Sequence, residues 1–155
     1  MTSEISARLS ARGITLPKAA APAANYLPYV KTGNQLVISG QLPLENGALA
    51  VKGKLGADVS LEDGQRAAEL CAINILAQAS AALDGDLSKI VRVVRIGVMV
   101  ASTPDFVEQH LVANGASNLL ADILGDAGKH ARAAVGMASL PLNAAVEIDA
   151  ILEIA

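Results

Sequence analysis

The sequence predicts an α+β domain with helices packed on one face of a sheet. Three observations predict it. Residues 60–83 carry a helix start signal followed by a long apolar stretch. "KIVRVVRIGVMVAS" is a long β-branched run, and the chain closes on "HARAAVGMASLPLNAAVEIDAILEIA", two alternating strands around a turn. The order reads α-β-β-α-β-α-β-β, one domain over residues 1–155.

Taken in turn, residues 3–12 place Ile5 and Leu9 one helical turn apart and stop at Gly13, a short amphipathic helix. "LPKAAAPAANYLP" is extended by its prolines. "YVKTGNQLVISGQ" is a hairpin around Thr-Gly-Asn, and "LENGALAVKGKLGADVS" is a glycine-punctuated loop with room for a short strand. Ser60, followed by Glu62 and Asp63, caps a helix running to about Leu83, where "DGD" ends it. The "KIVRVVRIGVMVAS" strand follows. Thr103 as cap and Pro104 at the first helical position open a second helical region, with Gly115 as an interruption. The last two strands complete the sheet.

Composition narrows the function classes. The hydrophobic fraction is 52% and the charged fraction 17%, which excludes a disordered chain. Aromatics supply only 2%, so the core is built from Ala, Val, Leu and Ile, and a chain so poor in bulk gains by oligomerising. A net charge of −3 and few aromatics provide no footprint for nucleic acid or an anionic membrane. One cysteine excludes an intramolecular disulfide and suits a reducing compartment. With no secretory signal or membrane-span pattern read from the sequence, the expected location is cytoplasmic.

Strand parity raises a question about the last two strands. Arg132, Ala134, Gly136 and Ala138 alternate with Ala133, Val135 and Met137; Glu147, Asp149 and Glu153 alternate with Val146, Ile148, Ala150 and Leu152. If the uniformly apolar faces lie under the helices, Arg132 and Glu147 share the uncovered face. A tight turn at "LPLN" then sets Glu147 across from Ala134 or Gly136. That describes a pocket floor of small residues with a cation and a carboxylate, or else a solvated face with a surface ion pair.

Other residues have blander readings. Cys71, among apolar helical neighbours, reads as a core thiol. His130 stands beside Arg132, either as a strand-end histidine or as an aid to anion binding, and His110 reads as structural. Two histidines and one cysteine far apart make no metal-ligand spacing. The "SGQLPLENG" and "KGKLG" glycines lack a phosphate-loop context and read as turns.

"ARAAVGMASLP" followed by "VEIDAILEI" resembles the C-terminal signature of the RidA (YjgF-type) reactive-intermediate deaminases: an Arg, an LP turn, and a Glu fifteen positions after the Arg, as 147 minus 132 gives here. "ANYLPYVKTGNQLVISGQLPL" is similar to the family's N-terminal stretch. The likeness runs from about Asn25 to Ala155. The extended N-terminus, "GKLGADVS", "NGAS" and "HAR" resemble a less-studied branch.

The resemblance implies a chorismate-mutase-like mixed sheet with two main helices on one face. It also implies a homotrimer whose sheets form a barrel-like centre, with pockets at the subunit interfaces. It further implies hydrolysis of enamines and imines such as 2-aminoacrylate to 2-oxo acids and ammonia, with no cofactor or metal. Arg132 then matches the residue holding the substrate carboxylate, and Glu147 the one activating water. Tyr26, Gly40 and Asn114 match pocket positions. Ala134 stands where well-studied members commonly carry cysteine or a small polar residue. That departure leaves an alternative: a non-catalytic trimer that binds a small carboxylate or acts through protein interactions. RNA cleavage, described for some relatives, fits poorly with the acidic charge.

Overall fold

The computed structural model describes residues 3–155. A five-stranded mixed sheet forms the centre, in the order β1-β2-β7-β5-β6, built from β1 (Tyr29–Thr32), β2 (Gln35–Gln41), β5 (Ile90–Ala101), β6 (Ala131–Met137) and β7 (Val146–Ile154). A small hairpin, β3 (Leu44–Glu45) and β4 (Ala48–Leu49), stands apart. Helices α1 (Ser3–Ala11), α2 (Leu61–Ala82) and α3 (Gln109–Leu124) complete the fold, with α2 and α3 over one sheet face. No helix among the described residues is long and apolar enough to cross a membrane.

Local chemistry explains most of the elements. Ser60 accepts a hydrogen bond from the Asp63 amide at 3.1 Å, satisfying one of the orphan donors of α2, and Glu62 and Asp63 complement the helix dipole. The β3–β4 turn places Asn46 and Gly47 both at positive φ, the arrangement that matches strand twist. Helix α2 is buried over most of its length because the sheet lies on one side and α3 packs along another.

Two boundaries differ from the sequence reading. Thr103 bonds Asp105 rather than capping a helix, and α3 begins only at Gln109. The hydroxyl–carboxylate pair offers the backbone a local turn in competition with helix. Gly115 does not interrupt α3 either. It lies where α3 crosses α2, and a Cβ there would lie 2.8 Å from the Gln65 carbonyl carbon and closer still to its oxygen. Glycine thus lets two backbones touch. Gly115→Ala gains about 1 kcal/mol in helix propensity, but forces the helices apart at a cost of roughly 1–3 kcal/mol or more. The expected result is a lower urea midpoint at an unchanged m-value; an equal or higher midpoint would show that the crossing has slack.

The last two strands do not form a hairpin. β6 is an edge strand paired parallel to β5, and β7 lies between β2 and β5, antiparallel to both. Residues 138–145 carry the chain past the end of β5 through a turn in which Leu142 and Asn143 have positive φ. The placement follows from bulk. β7 buries Val146, Ile148, Ala150 and Leu152 completely, which suits the middle of the sheet, whereas alanine- and glycine-rich β6 offers little to bury and takes the edge.

Candidate active site

The register separates the two residues that parity had placed together. In the parallel pair, Ile96 stands beside Arg132 and Val98 beside Ala134; in the antiparallel pair, Met99 stands beside Glu147. Ile96 and Val98 are buried under the helices, so Arg132, Ala134 and Gly136 lie on that face. Glu147 shares the opposite, open face with Met99 and Val135. The expectation of one common face is therefore corrected. Its premise failed because α3 approaches the edge strand closely, which requires the small residues beneath it. A Cβ on Gly136 would meet the Ser102 hydroxyl at 2.8 Å and the Gln109 amide at 2.9 Å. Val135, 46% exposed, turns outward instead.

Three of the expected site residues do gather on the β2–β7 side. A bulge in β2 between Ile38 and Gln41 displaces Gly40, whose missing side chain makes room for Glu147: a Cβ there would lie 2.5 Å from Glu147 Oε1. Partial burial of the carboxylate, and then the negative charge of Asp149, push the Glu147 pKa above the usual glutamate value. Such a group holds its proton more tightly than an ordinary glutamate and exchanges it nearer neutrality, as acid–base chemistry requires. Asp149 is fixed by accepting a bond from the Gly97 amide at 3.1 Å.

Tyr26 and Gly40 line one cavity of about 200 Å³, together with Pro22, Pro28, Gln41 and Leu142. The Tyr26 hydroxyl accepts from the Ala23 amide at 3.2 Å. Gln78 ties this wall to the helices by donating to the Ala20 carbonyl at 2.8 Å. Behind Glu147, Cys71 is wholly buried, and burial pushes its thiol pKa well up, leaving an unreactive core thiol.

Arg132 occupies a second place, at the outer edge of the sheet. Its Nη1 donates to Ser117 Oγ at 2.9 Å and its Nη2 to the His110 carbonyl at 2.9 Å. Ser117 Oγ also lies 2.8 Å from His130 Nε2, and His130 Nδ1 lies 2.6 Å from the Gly128 carbonyl. A cavity of about 340 Å³ opens here, lined by Ser117, Ala121, Lys129, His130 and Arg132. Ala134 packs toward the core and brings no functional group. Asn114 is not with them: it lines a polar groove between the helices, beside Arg12, Arg66 and Asp122.

Ser117 and Gln109 escaped the sequence reading. Gln109, at the start of α3, donates to the Phe106 carbonyl at 2.8 Å and faces Ser102 and Gly136 in a cavity of about 430 Å³ that also receives Lys54. Neither residue carries a local motif. Only the packing of α3 on β6 brings them beside the arginine strand.

Comparison with known proteins decides the family. The profile of the family described as "YjgF/chorismate mutase-like, putative endoribonuclease" matches residues 6–154. The chain belongs to this YjgF-like family. Protein TCP17 of Trypanosoma cruzi is 50% identical over 151 residues, covering 97% of this chain and 94% of TCP17. The crystal structure of Atu1372 from Agrobacterium tumefaciens, a protein of unknown function, is 63% identical with a TM-score of 0.93, covering 97% of this chain and 92% of that one. RidA from an Antarctic Psychrobacter is 32% identical with a TM-score of 0.62, covering 88% and 94%. The YjgF-like α+β fold read from the sequence is thus the fold of this chain, with α1 as a third helix.

Proposed function

We propose that this YjgF-like protein is an enamine and imine deaminase whose site is completed by two chains. Arg132 comes from one chain; Glu147, Gly40 and Tyr26 come from its neighbour. The observation that carries the reading is the separation just described. Arg132 and Glu147 lie on opposite faces of one sheet with β5 between their strands; Arg132 lines one open cavity, and Glu147 packs against Gly40, which lines another. A second copy is the simplest source of the missing half.

The open sheet face supports the same reading. Val30, Val37, Val91, Val94 and Val135 stand exposed on the strands, an unusual cost for a chain that remains alone in water. A closed ring of three copies with their sheets turned inward as a barrel-like centre would cover them. The expected solution mass is therefore three times 15.8 kDa by light scattering. A stable monomer at micromolar concentration would remove the shared site.

In the proposed reaction, Arg132 holds the substrate carboxylate with its planar fork. The enamine takes a proton from solvent on carbon to become the protonated imine. Glu147 then accepts a proton from water as the oxygen attacks the imine carbon. The same carboxyl returns that proton to the nitrogen and takes up the hydroxyl proton as the C–N bond breaks and the carbonyl forms, and the 2-oxo acid and ammonia leave. The decisive assay generates 2-aminoacrylate enzymatically and follows its loss against pyruvate formation. A cytosolic setting suits both such metabolites and the single free cysteine.

Ala134 favours a second reading, a trimer that binds small carboxylates without turning them over, because that position offers the site no side-chain chemistry. Carboxylate binding without acceleration of 2-aminoacrylate hydrolysis would select it.

A further inference from the structure

The groups around Arg132 form a chain of hydrogen bonds with a fixed direction. The Gly128 carbonyl can only accept, so His130 Nδ1 carries a hydrogen in either charge state. In neutral His130 the bare Nε2 must accept, which makes Ser117 the donor at 2.8 Å. Ser117 Oγ then presents a lone pair to Arg132 Nη1. Every member is satisfied, and Arg132 is held over α3 with its remaining N–H groups free for a ligand.

Adding a proton to His130 changes what this site offers. Nε2 becomes a donor to Ser117 Oγ, which can accept from both His130 and Arg132 because a hydroxyl has two lone pairs. The Ser117 hydrogen is then released toward the cavity of about 340 Å³. A cavity that already carries the Arg132 and Lys129 cations gains a third positive charge and a hydroxyl donor.

The surroundings set the sign. Arg132 faces the ring from its own strand, Arg92 of β5 donates to the Lys129 carbonyl, and α3 contributes Ser117, Ala121 and, through its carbonyl on Arg132, His110. Lys129 is adjacent, its ammonium 3.1 Å from Asp126. Burial first, and the charge of Arg132 as well, hold the His130 pKa below its usual value despite the Gly128 bond. A carboxylate on Arg132 offsets that positive charge.

We propose that anion binding at this site is proton-linked: a carboxylate held by Arg132 draws a proton onto His130, and Ser117 then turns its hydroxyl toward the ligand. The inference rests on Arg132 being the carboxylate anchor proposed above. His130 and Ser117 are assigned as ligand-binding and positioning groups, and the ligand class is a small monocarboxylate taken up with one proton.

The test uses 2-oxobutyrate, which stays ionised from about pH 5.5 to 8. Titration calorimetry on the intact protein should show affinity rising by about tenfold as pH falls, the effect of a coupling near one pKa unit. NMR titration of the histidine ring should show the His130 pKa rising by the same amount with saturating ligand. His130→Gln should flatten the pH dependence near the weaker, high-pH affinity. Ser117→Ala should weaken binding throughout, and Ser117→Thr should restore it. A His130 pKa indifferent to saturating 2-oxobutyrate overturns the linkage, and that measurement needs no variant. If Arg132→Ala abolishes binding but His130→Gln keeps the wild-type pH slope, the linkage alone is wrong. If Arg132→Ala binds 2-oxobutyrate as wild type does, or wild type does not bind it, the anchor reading fails and the linkage with it.

Discussion

Replacing Glu147 by Gln is expected to slow 2-aminoacrylate hydrolysis by at least about a hundredfold while 2-oxobutyrate binding persists. The amide keeps the size of the carboxylate and fits the space that Gly40 leaves, but it cannot take a proton from water. A structural role predicts the opposite balance. Glu147 is half-buried, accepts no hydrogen bond that an amide oxygen could not accept, and has its pKa raised by burial and by Asp149, so neutralising it relieves an unfavourable charge. The sign for stability follows: a carboxyl with a raised folded pKa destabilises the fold at neutral pH and less so in acid. Glu147→Gln should therefore fold at least as well as wild type. For the same reason activity should fall, as pH is lowered, through an apparent pKa above that of an ordinary glutamate. Equal turnover by Glu147→Gln and wild type would refute the mechanism.

Arg132→Ala should abolish both carboxylate binding and turnover, and Arg132→Lys should not restore them, because an ammonium cannot present two parallel donors. The larger consequence appears on mixing. If each site takes Arg132 from one chain and Glu147 from the next, then Arg132→Ala and Glu147→Gln subunits damage different halves. In an equimolar mixture refolded together, about a quarter of the sites combine an intact arginine with an intact glutamate. Activity should return to about that fraction of wild type although each parent is inactive. A mixture as inactive as its parents would place both residues in a single-chain site, against the register of β5, β6 and β7.

Much of the fold was legible from local signals. The α2 cap at Ser60, the hairpin around Gly33, the β-branched run of β5 and the spacing of Arg132 and Glu147 all depend on neighbours in sequence. Helix α3 was less legible. "TPD" offers a capping pattern, but the hydroxyl–carboxylate pair of Thr103 and Asp105 satisfies itself locally and postpones the helix to Gln109. Gly115 looked like a breaker because low propensity and close backbone approach leave the same mark in a sequence.

The amino-acid order by itself determined the family, the element types and the residues that carry charge on the final strands. It could not determine which strands pair, because β6 and β7 separated by a short turn satisfy the hairpin rule as well as the observed crossing does. It could not determine which face of β6 meets a helix, because alternation defines two faces without saying which one is covered. Tertiary packing settled both. The bulk of Val146, Ile148 and Leu152 drew β7 to the middle of the sheet, and the smallness of Ala134 and Gly136 let α3 close over the edge. Arg132 thereby joined Ser117 and His130, and Glu147 joined Gly40 on the opposite face.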